Sequence, residues 1–259
     1  MKPEESVHNY PKNHPVRIAI ARQLQKVRHH EKFDHSRQRY DDERDAVDYF
    51  FTLRGLSATL NYIKQMVNAK KVLDIGVGDS RAVKEIARST FGEGLKFVGT
   101  SLTRKSTHRY FLGQSNITLT SAEVLRGFQP DSLGGILGVY SLTYSISPEQ
   151  TVARLNEVLT AGGLIKACFR VPGHALKLNS LTARPFINAL LTHGYDVKDF
   201  QQIEISQDEK DAGICATHIV LAIKPHSGSS EKKRQTASEI LDADRRTMKS
   251  DVEKFGFRF

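Results

Sequence analysis

Cysteine is scarce in this chain: 259 residues hold two, Cys168 and Cys215, each inside an apolar, strand-like run. A disulfide framework or a thiolate metal site needs more sulfur at closer spacing, so both are expected to be buried free thiols in a reducing compartment. Long apolar runs are also lacking. No stretch reaches the roughly 18 residues that read as a membrane span, and the opening Met1-Lys2-Pro3-Glu4-Glu5-Ser6 has no apolar signal core. A cytoplasmic location without a membrane partner is the expectation. Acids are outnumbered, 29 Asp and Glu against 38 Lys and Arg, for a net charge of +9. The excess lies mostly outside the apolar segments. Residues 1–40 alone carry nine basic residues, four acids and five of the ten histidines. They form no dense basic block with interleaved aromatics, so a solubilising surface and an RNA partner both stay open. No internal repeat is present.

The most informative stretch is Lys70-Lys-Val-Leu-Asp-Ile-Gly-Val-Gly-Asp-Ser80. An apolar strand ends in an acid and two glycines, Asp74-x-Gly76-x-Gly78, and a helical pattern follows from Arg81 to Thr90. A strand, a glycine turn and a helix start together make a small-molecule cradle, because glycine turns sharply and admits close approach to the backbone. The dinucleotide fingerprint G-x-G-x-x-G and the phosphate loop G-x-x-x-x-G-K-S/T are both missing. Asp74 and Asp79 would repel a pyrophosphate and suit a cationic ligand with an amino group.

The 39% apolar content supports a real core in one large α/β domain or two small ones. A helix is expected through residues 16–28. From Asp42 to Val67 the apolar positions recur at helical spacing and predict one or two helices. Strands and helices then alternate. Strands are predicted at 71–75, 95–99, 117–120, 135–140 and 164–169, the last after the turn Ala161-Gly-Gly163. Helices are predicted at 80–91, 103–112, 148–159 and 178–193, the third entered through Ser147-Pro148. Two closing strands, 197–205 and 217–223, have no helix between them and imply an antiparallel edge hairpin. The alternation implies a mostly parallel sheet with helices on both faces. Residues 226–235 read as a polar linker. The capping box Thr236-x-x-Glu239 and the stripe Leu241, Met248, Val252, Phe255 predict a C-terminal helix, to dock on the domain or on a partner, with a disordered tail as the alternative. The organisation expected is a basic N-terminal segment 1–41 as a candidate lid, an α/β domain 42–225, and a linker with helix or tail over 226–259.

The motif Asp74-Ile-Gly-Val-Gly78 resembles motif I of the class I S-adenosylmethionine-dependent methyltransferases, (D/E)-x-G-x-G. The order of seven strands with the last antiparallel resembles the fold of that family over residues 33–225. The resemblance implies S-adenosylmethionine as cofactor. It places the Gly76 and Gly78 backbone against the methionine part, with Asp74 beneath it and Asp79 beside it. The family usually ends its second strand in an acid that grips the ribose; Thr100 and Ser101 stand here instead. It usually ends its third strand in an adenine-binding acid; here the run is Ser121-Ala122-Glu123. Val139 and Tyr140, after the fourth strand, would border the cofactor, and Tyr144 would face the substrate. Phe33-Asp34-(x5)-Tyr40-Asp41 resembles the F-D-x-x-A-x-x-Y-D segment of small-molecule methyltransferases, and by that analogy Tyr40 closes over the site. His174, in the turn after the fifth strand, is the best-placed general base.

The acceptor has no motif of its own. The Asn/Asp-Pro-Pro-Tyr/Phe segment of amino methyltransferases acting on bases is absent, and so is a Pro-Cys nucleophile. A small-molecule acceptor is therefore favoured. An RNA methyltransferase and a catalytically inactive relative, the latter supported by Ser101 and Ser121, are the alternatives. The group His29, His30, Glu31, Asp34 and His35 lacks metal-type spacing and reads as solvated. No metal is expected. A second copy of the chain, or another protein, is a candidate partner for the C-terminal helix.

Overall fold

The computed structural model describes residues 44–78, 80–102, 117–145, 147–172, 176–202, 214–226 and 235–256, with Ile18. Two helices lead in. Helix α1, Ala46–Thr52, starts at a capping box in which Asp45 and Asp48 satisfy each other's backbone N–H. Helix α2 is Ser57–Met66. Their stripe, Phe50, Leu53, Leu56, Leu60 and Ile63, is fully buried.

Seven strands and further helices follow: β1 Lys71–Ile75, α3 Arg81–Arg88, β2 Lys96–Ser101, β3 Ile117–Leu119, β4 Leu133–Val139, a 3-10 turn Ser141–Tyr144, α4 Pro148–Val158, β5 Leu159–Pro172, α5 Leu176–Thr192, β6 Asp196–Gln202, β7 Ile214–Ile223 and α6 Ala237–Glu253. Among the described residues there are six α-helices. None is long and apolar enough to cross a membrane. The caps expected from sequence are made: the Ser147 side chain accepts from Gln150 N–H ahead of Pro148, and Thr236 with Glu239 forms a capping box. The helices expected near 16–28 and 103–112 and the body of the linker lie outside the described residues.

The sheet order is β3-β2-β1-β4-β5-β7-β6. All neighbours run parallel except β7, which is antiparallel to both β5 and β6. Strand β4 is buried at every position, as a central parallel strand covered on both faces must be. The closing hairpin forms the antiparallel edge of the sheet, with β7 beside β5 and β6 outermost. One sequence expectation needs correction. Strand β5 starts at Leu159, not Leu164, because pairing with β4 continues through the glycine turn with a register shift between Leu133 and Gly135. An apolar run underestimates a strand that keeps its ladder through a bulge.

Side chains alternate across the sheet. Val72, Leu137, Leu164, Cys168, Ile219 and Leu221 face the layer of α1, α2, α3 and α6. Leu73, Ile136, Ile165, Phe169 and Val220 face α4 and α5. The C-terminal helix therefore docks on its own domain, with Ile240, Leu241 and Val252 buried and Phe255 packed against Phe50 and Phe91. Each such apolar side chain contributes roughly 1.5–3 kcal/mol, enough to hold a terminal helix that capping alone would not.

A polar lock completes this docking. Lys166 lies on the α6 side of β5, wholly buried, and donates to Asp244 Oδ2 and Gly55 O, both at 2.6 Å. Asp244 of α6 also accepts from the N–H groups of Ala58 and Thr59 and from the Thr59 hydroxyl. Leu56, the N-cap of α2, has no side-chain acceptor, so a residue from the far end of the chain caps that helix instead. Gly55 is needed at the crossing. A Cβ there would lie 2.2 Å from Asp244 O, and its φ is +93°. Burial lowers the Lys166 pKa, and Asp244 opposes that shift.

Candidate functional site

Strand order reverses direction beside β1, with β2 and β3 on one side and β4 onward on the other. In an open parallel sheet the crevice at that point, beyond the carboxyl ends of the strands, is where ligands bind. Asp74 stands near the end of β1, fully buried. Its Oδ2 accepts from the Tyr49 hydroxyl of α1 at 2.8 Å. Its Oδ1 is buried and has no hydrogen-bond partner among the described residues. Burial pushes the carboxyl up to about 7, while the Tyr49 hydrogen bond and the Arg44 charge pull it down. Burial, followed by the Asp74 charge, also holds the Tyr49 hydroxyl well above its ordinary value.

The glycine loop turns directly above. Gly76 is exposed, with φ +74°, and its N–H donates to Thr100 O at 3.0 Å; Val77 N–H donates to the same oxygen. Thr100 Oγ1 lies 3.3 Å from the Gly76 nitrogen. A Cβ on Gly76 would stand 2.7 Å from Ser141 Cβ, so the loop is confined between the end of β2 and the turn after β4. Gly78 and Ser80 also have positive φ, at +58° and +70°, and the chain then enters α3. Three left-handed positions within five residues make a tight turn, exposed at Gly76.

Around this loop the strand ends carry hydroxyls. Thr100 and Ser101 close β2, both buried. After β3, Ser121 is buried with an Oγ that has no partner among the described residues, and Ala122 is buried beside it. Glu123 is half-buried, and its Oε1 accepts from the Ser145 hydroxyl at 3.3 Å. Val139, at the end of β4, is buried, and its carbonyl faces Arg44 Nη1 at 3.4 Å. Tyr140 has φ +58°; its ring is buried under the Arg44 guanidinium, and its hydroxyl shares a hydrogen bond with Thr217 on β7 at 2.9 Å. Tyr140 can thus offer a ligand its backbone but not its side chain.

Asp74, Gly76, Gly78, Thr100, Ser101, Ser121, Ala122, Glu123, Val139 and Tyr140 all lie at the carboxyl ends of adjacent strands or in the loops that follow. Asp79, Tyr40, His174 and the cluster from His29 to His35 lie outside the described residues, and so does the side chain of Tyr144. The sequence reading missed Tyr49 and Arg44. Tyr49 sits among the apolar residues of α1 one position before Phe50, and a tyrosine on a buried helix face is the one signal that its hydroxyl needs a partner.

No model of a protein family matches the chain, and no curated protein matches it in sequence. Solved structures do match. The [4+2]-cyclase SpnF aligns over 66% of this chain and 80% of its own, at 13% identity and a TM-score of 0.50. A SAM-dependent methyltransferase from Archaeoglobus fulgidus aligns over 65% and 91%, at 15% identity and a TM-score of 0.47. Phosphoethanolamine N-methyltransferase 2 of Haemonchus contortus, in complex with phosphomonomethylethanolamine and S-adenosylhomocysteine, aligns over 66% and 52%, at 14% identity and 0.47. The decisive observation is the strand order, with β7 antiparallel between β5 and β6. The fold is that of the class I methyltransferases. On this fold, Asp74 lies in β1 with Gly76 and Gly78 just after it, and Ser101 and Ser121 stand at the end of β2 and after β3.

Proposed function

We propose that this chain binds S-adenosylmethionine beneath the glycine loop and transfers its methyl group, in line, to a small-molecule acceptor. The observation that carries the reading is Asp74 Oδ1, a buried carboxyl oxygen with no partner among the described residues, just before a left-handed turn in which Gly76 is exposed. A buried acceptor left open in this way costs stability unless a ligand completes it. The residues present fit the cofactor. Asp74 supplies the acceptor for its ammonium, and the Gly76–Gly78 backbone and Asp79 flank the amino-acid part. Thr100 and Ser101 supply hydroxyls for the ribose. Ser121, Ala122 and Glu123 border the adenine, and Val139 with the Tyr140 backbone forms the wall. Bound there, the sulfonium supplies an already activated methyl group.

The chain's own task is then to orient donor and acceptor and to exclude water. Tyr40, Tyr144 and His174 are the residues proposed to meet the acceptor, His174 as base where a proton must leave. The small-molecule acceptor is supported by the Phe33–Asp41 segment and the missing base-methylation motifs. The buried thiol of Cys168, inside an apolar strand, supports a reducing, cytoplasmic setting.

A second reading has its own observation. Ser101 and Ser121 cannot chelate a ribose or an adenine as a carboxylate does, which favours a binding module that retains the fold without turnover. Calorimetry with S-adenosylmethionine and S-adenosylhomocysteine decides. Binding of both, with methyl transfer to an added acceptor pool, is expected. Binding without transfer to any acceptor favours the second reading, and no binding at millimolar ligand removes both. An RNA acceptor would reveal itself by RNA affinity that falls steeply with salt.

A further inference from the structure

Beneath the glycine loop lies a buried polar group larger than the motif requires. Arg44, Tyr49 and Asp74 come from two separate stretches of chain and are all buried. The segment that brings the first two is stitched to α3: Ala82 N–H donates to Arg44 O at 3.1 Å, and Ala46 N–H donates to Glu85 Oε2 at 2.9 Å. Arg44 also spans to the end of β4, through Val139 O and the face of the Tyr140 ring. The entry to α1 therefore touches β1, β4 and α3 at once, directly under the candidate cofactor site.

We propose that Tyr49 and Arg44 are positioning residues for the Asp74 carboxyl, Tyr49 engaging one oxygen and leaving the other for a cationic ligand, which binds with release of the Asp74 proton. The proposal rests on the functional reading above and adds its regulation by pH. The geometry has three parts. Tyr49 takes one oxygen of Asp74 and leaves the other open. Arg44 supplies the positive charge that favours ionisation. No solvent reaches the carboxyl to share the load, since Asp74 is 0% exposed. The balance is simple: Asp74–COOH and a ligand ammonium become a carboxylate–ammonium pair, and one proton leaves to solvent. A carboxyl titrating at about 7 makes that exchange occur at neutral pH.

Other charges on this face do not replace the pair. The strand neighbours of Asp74 are Gly99 and Leu137, neither of them titratable. Lys166 lies in the same cross-strand row, beyond Leu137, roughly 10 Å away by strand spacing. Its charge is taken up by Asp244. Cys168 on β5 bears on Tyr49 and Lys166, raising both pKa values.

Two measurements on the full chain test this, with Tyr49→Phe as the variant because it keeps the ring and removes only the hydroxyl. In ligand-free protein with 13C-labelled aspartate, the Asp74 carboxyl, assigned by its loss in Asp74→Asn, is expected to titrate near pH 7. In Tyr49→Phe it is expected to move up by about one to two pH units, the worth of one charge-assisted hydrogen bond. Calorimetry with S-adenosylmethionine, in two buffers of different ionisation enthalpy, is expected to show proton release at pH 7. Affinity should fall below pH 7 in the wild type and below about pH 8 in Tyr49→Phe, recovering at higher pH. A carboxyl titrating in the ordinary range near 4, or unmoved by Tyr49→Phe, overturns the proposal. So does ligand binding without proton exchange, and in that case the functional reading survives. If the wild type binds no S-adenosylmethionine, the functional reading fails and takes this one with it.

Discussion

Asp74 and Asp244 are both buried acids on the same side of one sheet, yet they are built differently. Asp244 is saturated: it accepts from two backbone N–H groups, a threonine hydroxyl and the Lys166 ammonium. Asp74 accepts from one hydroxyl and keeps an oxygen open. Both sit in wholly buried surroundings where an incomplete set of partners is costly. The contrast separates two uses of a buried charge. One closes the protein on itself; the other keeps an acceptor without a donor among the described residues.

Removing one partner from the saturated site should have the largest effect. Lys166→Met leaves the Asp244 carboxylate without its counter-charge and Gly55 O without its donor. It should cost about 3–5 kcal/mol in urea unfolding, while S-adenosylmethionine affinity of the remaining folded protein stays unchanged. A loss of affinity equal to that in Asp74 variants would erase the distinction between the two sites.

The open site should respond in the opposite sense. The Asp74 carboxyl titrates at about 7 in the folded chain, against an ordinary 3.8. Between those values the folded chain holds a proton that the unfolded chain has lost. The Asp74 contribution to stability thus declines as pH rises from about 4 to 7 and stays low above that. Asp74→Asn abolishes this titration. Relative to the wild type it should gain up to roughly 4 kcal/mol between pH 4 and pH 8, measured by urea unfolding across pH, and it should lose ligand binding. A pH-independent difference would show that Asp74 is hydrated after all.

The smallest of the three changes concerns the loop. Gly76→Ala forces a side chain into a left-handed position against Ser141 and should cost about 1–2 kcal/mol, with a larger proportional loss of ligand affinity. Equal affinity in Gly76→Ala and wild type would show that the loop backbone does not meet the ligand.

Much of this was legible in the chain. The bounds of β1 were read without error, because its apolar run ends abruptly at an acid and two glycines. Both the Ser147-Pro148 entry and the Thr236–Glu239 box were readable, since capping is a local matter of side chain and neighbouring N–H. The start of β5 was misplaced because pairing outlasts apolar character. Tyr49, Arg44 and the Lys166–Asp244 pair were not read, although a lone lysine within Leu164-Ile-Lys-Ala-Cys-Phe169 was a signal that some distant acid had to meet it.

The linear order of residues by itself determined the alternation of strands and helices, the glycine turn after β1 and the caps, all of which depend on neighbours a few positions apart. Only the tertiary structure decided which acid is satisfied and which is open. That outcome depends on whether a donor from elsewhere in the chain reaches each carboxylate, and pairing across 78 residues for Lys166 with Asp244, or 25 for Tyr49 with Asp74, leaves no periodic trace in the chain.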